Sequence, residues 1–176
     1  MMEILLGAGS RHDKRLFVKV RSAWNGLVTV DFNAAHKPDI VADLSKLPLP
    51  FGDDVADEIH AYDVMEHTGA QGDWRFFFDQ WSDLWRILKP GGYFHGVSPH
   101  WSSPWAWMDP GHTRAMGPEM LTFLHQPAYA QVGKTAMSDY RFAYKADFDV
   151  VMSKVDPVSK QFFWVLRAVK PSRISV

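Results

Sequence analysis

Residues 1–10 constrain this chain more than any other stretch. Ile4-Leu5-Leu6 is a short apolar run that breaks into Gly7-Ala8-Gly9-Ser10. That is the pattern of a buried strand running into a turn. The two glycines leave bare backbone against which a ligand can lie, because neither carries a Cβ. A second apolar run, Leu27-Val28-Thr29-Val30, closes on Asp31, 22 residues past Gly9. That separation suits an acid on the neighbouring strand that hydrogen-bonds a ribose diol.

The chain between and beyond these points reads as alternating strands and helices. Leu16, Phe17, Val20, Ala23 and Trp24 fall at helical spacing and predict a helix over about 13–23. Asn25-Gly26 turns the chain into the second strand. Ile40-Val41-Ala42 is a third apolar run and ends in Asp43. Leu47-Pro48-Leu49-Pro50 cannot sit inside a helix and reads as an extended connector. Val55 to Ala61 is a fourth strand, followed by Tyr62-Asp63-Val64-Met65-Glu66-His67.

The clearest helix comes next. Asp73 can cap it. Trp74, Phe77, Phe78, Trp81, Leu84, Trp85 and Leu88 then recur at three- and four-residue steps, a stripe that should face a sheet. Arg75, Asp79, Ser82, Asp83 and Arg86 take the other side. Lys89-Pro90-Gly91-Gly92 stops the helix and turns into a strand over Tyr93–Val97. Residues 98–140 are irregular and rich in aromatics, with a short helix expected over Pro118–Leu124. Two strands, about Ala146–Val155 and Gln161–Val169, form a terminal antiparallel hairpin around Asp156-Pro157.

This order gives an α/β fold: a Rossmann-like open sheet, mostly parallel, with its ligand across the carboxyl ends of the strands. At 176 residues the chain is expected to be a single domain, with 98–140 as an insertion within it. The net charge of −1 gives no global field for nucleic acid or an anionic membrane, although a local basic patch is not excluded. The absence of cysteine excludes disulfides, thiolate metal sites and a cysteine nucleophile, and fits a reducing compartment. With no apolar run near ~20 residues and no signal-like start, a cytoplasmic location is the expectation.

Three runs carry a family resemblance: Pro38-Asp39-Ile40-Val41-Ala42-Asp43-Leu44 to Leu47-Pro48; Asp57 to His67; and Trp85-Arg86-Ile87-Leu88-Lys89-Pro90-Gly91-Gly92. Taken in order with the glycine turn and Asp31, they resemble the class I S-adenosylmethionine-dependent methyltransferases over about Leu5 to His112. The resemblance implies a seven-stranded sheet with its last strand antiparallel. It also implies S-adenosylmethionine as cofactor and methyl transfer to a small-molecule or nucleotide acceptor. Carried over by position, Gly7 and Gly9 lie under the methionine part and the ribose. Asp31 holds the ribose, and Phe32 lies beside the adenine. Asp43 and the Leu44 backbone contact the adenine, and Tyr62 lies beside the methionine moiety. The turn departs from the family at its third glycine, where Arg11 and His12 stand.

A separate physical argument favours this cofactor over a nicotinamide dinucleotide. A pyrophosphate wants a glycine-rich turn that feeds a helix N-terminus. A sulfonium cation has no such need, and acids at Asp31, Asp43 and Asp63 suit it. A cofactor-binding module without chemistry is a second reading, and an oxidoreductase a third.

Asp109-Pro110-Gly111-His112-Thr113-Arg114 follows the fifth strand and is the candidate for substrate-side chemistry, with Asp109 against the acceptor. His112 is a general base or a structural histidine. His67 shapes the catalytic pocket or satisfies a buried carbonyl. Trp101, Trp105 and Trp107 are either a stacking platform for a flat acceptor or a lid. Glu66, His67, Asp109 and His112 have ligand chemistry at a spacing that matches no metal motif, so no metal is expected. The missing Asn-Pro-Pro-Tyr signature and the missing cysteine narrow the acceptor without naming it.

Overall fold

The computed structural model describes residues 1–15 and 23–174. Seven strands form one sheet: β1 (Glu3–Leu6), β2 (Leu27–Asp31), β3 (Ile40–Val41), β4 (Ala56–Tyr62), β5 (Leu88–Pro99), β6 (Phe148–Val155) and β7 (Gln161–Ala168). Their order is β3-β2-β1-β4-β5-β7-β6. The pairs from β3 through β5 are parallel, whereas β7 runs antiparallel to both β5 and β6. The terminal hairpin therefore inserts its second strand, β7, between β5 and β6. The chain reverses at Asp156, whose Oδ1 accepts the amides of Val158 and Ser159 at 2.9 and 2.7 Å.

Strand alternation sorts the residues. Ile4, Leu6, Val30, Ile59, Ala61, Phe94, Phe162, Trp164 and Leu166 point to one face and are buried together. Helix α1 (Trp74–Ile87) covers that face with Phe77, Phe78, Trp81, Leu84 and Ile87. Asp73 caps it as the sequence predicts, accepting the Phe76 amide at 3.1 Å. Trp74 and Trp85 lie at the margins of the stripe, half-buried.

Two expectations change at this level. Asp83, placed on the solvent side by periodicity, is buried: the connector folds over the helix, and Leu49 donates its amide to Asp83 at 2.7 Å. Lys89-Pro90-Gly91-Gly92 is not a free turn. Strand β5 already begins at Leu88, and the four residues form a bulge where the register with β4 shifts between Ala56 and Glu58. The short helix expected over Pro118–Leu124 is present, in the 3-10 form. The helix predicted over about 13–23 falls largely outside the described residues. Among those described, no helix is long and apolar enough to cross a membrane.

Segment 98–140 crosses the carboxyl end of the sheet. It contains the short helix α2 (Trp105–Met108) and a bridge between His100 and Met116. Thr113 and Arg114 both donate their amides to the Glu66 carbonyl, at 2.9 and 3.1 Å. These two bonds bring the loop after β5 to the loop after β4, across the end of the strands where ligands bind in open α/β sheets.

Candidate functional site

Strand β1 delivers the chain to Gly7 and Gly9, both in the left-handed region at φ +59° and +55°. A Cβ on Gly7 would come within 2.3 Å of Val64 Cγ2, so glycine is required there sterically as well as conformationally. A Cβ on Gly9 would meet nothing within 4 Å, because Gly9 faces open space.

Two cavities open on either side of this turn. The larger, of about 600 Å³, is lined by Gly7, Gly9, Asp31, Phe32, Asp43 and Leu44, joined by His36, Ser45, Asp63, Val64, His67, Thr68 and Gly111. The smaller, of about 440 Å³, takes in Gly7 to Arg11 with Asp13, Arg15 and Tyr62. The glycine turn is the wall they share.

Asp31 ties the turn to β2. Its Oδ2 accepts the Gly9 amide and its Oδ1 the Asn33 amide, each at 2.8 Å. His36 Nδ1 lies 3.3 Å from Oδ2. Burial pushes the carboxyl up, but the amides of Asn33 and Gly9, with His36, outweigh it and hold its pKa below the ordinary value. The carboxylate has about four acceptor sites in all, so lone pairs remain for a diol. Asp43 opens the loop after β3 and accepts both the amide and the hydroxyl of Ser45, at 2.9 and 2.6 Å. Leu44 beside it is buried, while Phe32 stands 77% exposed at the rim.

Tyr62 faces the smaller cavity. Its hydroxyl accepts the Arg15 amide at 3.2 Å and lies 2.7 Å from His60 Nδ1. Arg15 pairs with Asp63 at 2.6 Å. Asp63 is itself held at φ +56°, a strained setting for a non-glycine residue at the mouth of a cavity.

The loops after β4 and β5 supply a third group. His67 lines the larger cavity and donates from Nδ1 to the Gly111 carbonyl at 3.1 Å. Its ring meets that of His112 edge-on, with centroids 4.5 Å apart. His112 Nε2 lies 3.9 Å from Glu66 Oε1 and 3.8 Å from Asp109 Oδ2. Glu66 is only 1% exposed and accepts the Ser98 hydroxyl on Oε2 at 2.6 Å. Burial raises its carboxyl to about 7, against the opposing Ser98 bond. The structure thus brings His67, His112 and Asp109 together beside the cavity. It leaves Trp101, Trp105 and Trp107 outside it: each is at least half exposed or nearly so, and Trp105 is 69% exposed.

Sequence reasoning gave no role to His36, Ser45, Thr68, Arg15 or Ser98. Ser98 is the one that carried a signal, since it directly follows the strand predicted over Tyr93–Val97, at the sheet edge where the loop holding Glu66 begins. The rest are loop residues whose neighbours are fixed only in space.

No family model matches this sequence, and no curated protein matches it. Solved structures do. One is a chain of the complex between the Haloferax volcanii Trm112 methyltransferase activator and a methyltransferase. It matches at TM-score 0.54 with 16% identity, over 96% of this chain and 82% of that one. Phosphoethanolamine N-methyltransferase 1 from Haemonchus contortus, in complex with phosphoethanolamine and S-adenosylhomocysteine, matches at TM-score 0.60 with 16% identity, over 99% of this chain and 40% of that one. A 16S rRNA adenine N1-methyltransferase from Catenulisporales acidiphilia matches at 0.55 and 15% identity, over 97% and 85% of the two chains. The fold is the seven-stranded, Rossmann-like fold of the class I S-adenosylmethionine-dependent methyltransferases. At these identities the likeness is one of fold.

Proposed function

We propose that this chain is an S-adenosylmethionine-dependent methyltransferase acting on a small-molecule or nucleotide acceptor. The observation that carries the reading is the convergence on one cavity of Gly7, Gly9, Asp31 and Asp43, which lie on the ends of three successive strands. Adenosine fits that cavity in kind: Asp31 for the ribose, Leu44 and Phe32 as apolar faces for the base, Asp43 for its exocyclic amine. The smaller cavity suits the amino-acid tail, with Arg11 and Arg15 for its carboxylate and Asp13 for its ammonium.

The sulfonium then lies at the shared wall, near Gly7 and Asp63. In-line displacement needs alignment and exclusion of water more than covalent help. The acceptor approaches from the side of His67, His112 and Asp109, where the two histidines manage any proton it must lose. Trp101 and Trp105 extend that side as a surface for a flat acceptor. Segment 98–140 serves as the acceptor-side part of a single methyltransferase-like domain.

The nicotinamide reading is weaker on the same geometry. Residues 10–15 are irregular, so among the described residues no helix N-terminus faces the turn to receive a pyrophosphate.

Calorimetry with S-adenosylhomocysteine tests the site. Asp31→Ala should weaken binding by ~1–3 kcal/mol, the cost of a lost buried hydrogen bond, or roughly 5- to 150-fold. Unchanged affinity places the nucleoside elsewhere. Tighter binding of NAD than of S-adenosylhomocysteine selects the oxidoreductase. Methyl-label transfer into a panel of acceptors separates an enzyme from a binding module.

A further inference from the structure

We propose that Glu66, His67 and His112 form a binding site for one divalent transition-metal ion at the acceptor side of the cavity. One carboxylate oxygen and one imidazole nitrogen from each histidine lie within 4.8 Å of one another. Two imidazoles and a carboxylate are the donor set of open catalytic sites for zinc and its neighbours in the first row.

Two of the three donors, Glu66 and His67, are already supported as ligands would be. Glu66 Oε2 is anchored by the Ser98 hydroxyl, which leaves Oε1 buried with no partner. The Nδ1–H of His67 is spent on the Gly111 carbonyl, so a neutral ring presents its lone pair at Nε2. A backbone carbonyl behind the ring is the usual support of a metal-bound histidine. The side chain of His112 is 7% exposed, and its Nδ1 is buried with no partner. The two amides donated to the Glu66 carbonyl fix the His112 loop against it. Among the described residues no lysine or arginine is ion-paired with Glu66; the group nearest its free oxygen is His112 Nε2, itself one of the three donors.

Tetrahedral ligands ~2.0–2.2 Å from zinc stand roughly 3.3–3.6 Å apart. Donors now up to 4.8 Å apart must close by roughly 1.2–1.5 Å. His67 is at the surface and can supply that movement by side-chain rotation. Three protein ligands leave a fourth position for a water or an oxygen of the acceptor, which the ion makes more acidic. In that last respect the inference rests on the methyltransferase reading. The ion site itself does not.

The test uses the full chain, stripped with chelator and titrated with Zn²⁺, and with Co²⁺ for its visible spectrum. One ion per chain is expected, with affinity lowered in His67→Ala and in His112→Ala by more than the ~10- to 100-fold that losing a mere outer-shell partner costs. His67 is exposed, so its variant keeps the fold if His112→Ala does not. His95→Gln, in the other cluster of this composition among the described residues, should leave binding intact. Absence of stoichiometric binding overturns the proposal, as does affinity that falls in His95→Gln and holds in the other two. S-adenosylhomocysteine binding, measured on the same samples, fails or succeeds separately and reports on the methyltransferase reading alone.

Discussion

Two clusters in this molecule share a composition and differ in everything else. Glu58, His60 and His95 lie on β4 and β5, on the sheet face away from α1. Glu66, His67 and His112 lie in the loops beyond those strands. The first is closed. Lys14 reaches in with no exposed side-chain surface and pairs with Glu3 at 3.0 Å and Glu58 at 2.7 Å. His60 and His95 stack at 4.3 Å, nearly parallel. The second has no such cation and opens to a cavity through His67. Residue types alone therefore do not mark a site. A carboxylate neutralised by the protein's own lysine is structural, and one left without a lysine or arginine behind the cavity-lining His67 is available to a ligand.

The largest expected effect breaks the closed cluster. Lys14→Met leaves Glu3, which is fully buried, and Glu58 without their cation. Removing one partner of a buried pair costs ~3–5 kcal/mol. Urea unfolding at neutral pH measures it, and a loss below ~1 kcal/mol would show that the lysine neutralises nothing.

Acid should break it next. Burial first, then the neighbouring His60, holds His95 down to about 3; His60 is lowered by burial as well. The groups facing this pair are Glu3, Lys14, Glu58, Tyr62 and Tyr93. In the unfolded chain each histidine returns to ~6.5. Below that pH the unfolded state binds protons the fold excludes, so stability falls as pH drops from 6.5 toward 3. For His95 alone the loss between pH 7 and pH 5 is about 2 kcal/mol. His95→Gln should flatten that slope; an unaltered slope means the ring is not held neutral by the fold.

The smallest effect belongs to the open cluster. Glu66→Gln keeps the shape and an acceptor for Ser98, and no lysine or arginine paired with it is left behind. The change in unfolding free energy should stay within about 1 kcal/mol, the range of substitutions that leave no unpaired charge. A loss as large as that of Lys14→Met would erase the distinction between the clusters.

The amino-acid sequence alone determined the fold class, the order of strands, the capped helix and the glycine turn. These rest on local rules: a period of two or 3.6, a side-chain cap, a backbone angle that only glycine adopts cheaply. It also placed Gly9 and Asp31 at one edge, because parallel neighbouring strands end at the same edge of a sheet; the 2.8 Å bond from the Gly9 amide to Asp31 came from the structure. It did not determine that Asp83 faces inward, since a helical wheel cannot see a connector folding over it. Nor did it separate Glu58 from Glu66. That distinction depends on where Lys14 and His112 arrive, from 44 and 46 residues away in the chain. Burial and unpaired charge are properties of neighbours in space, so the order of residues along the chain could not supply it.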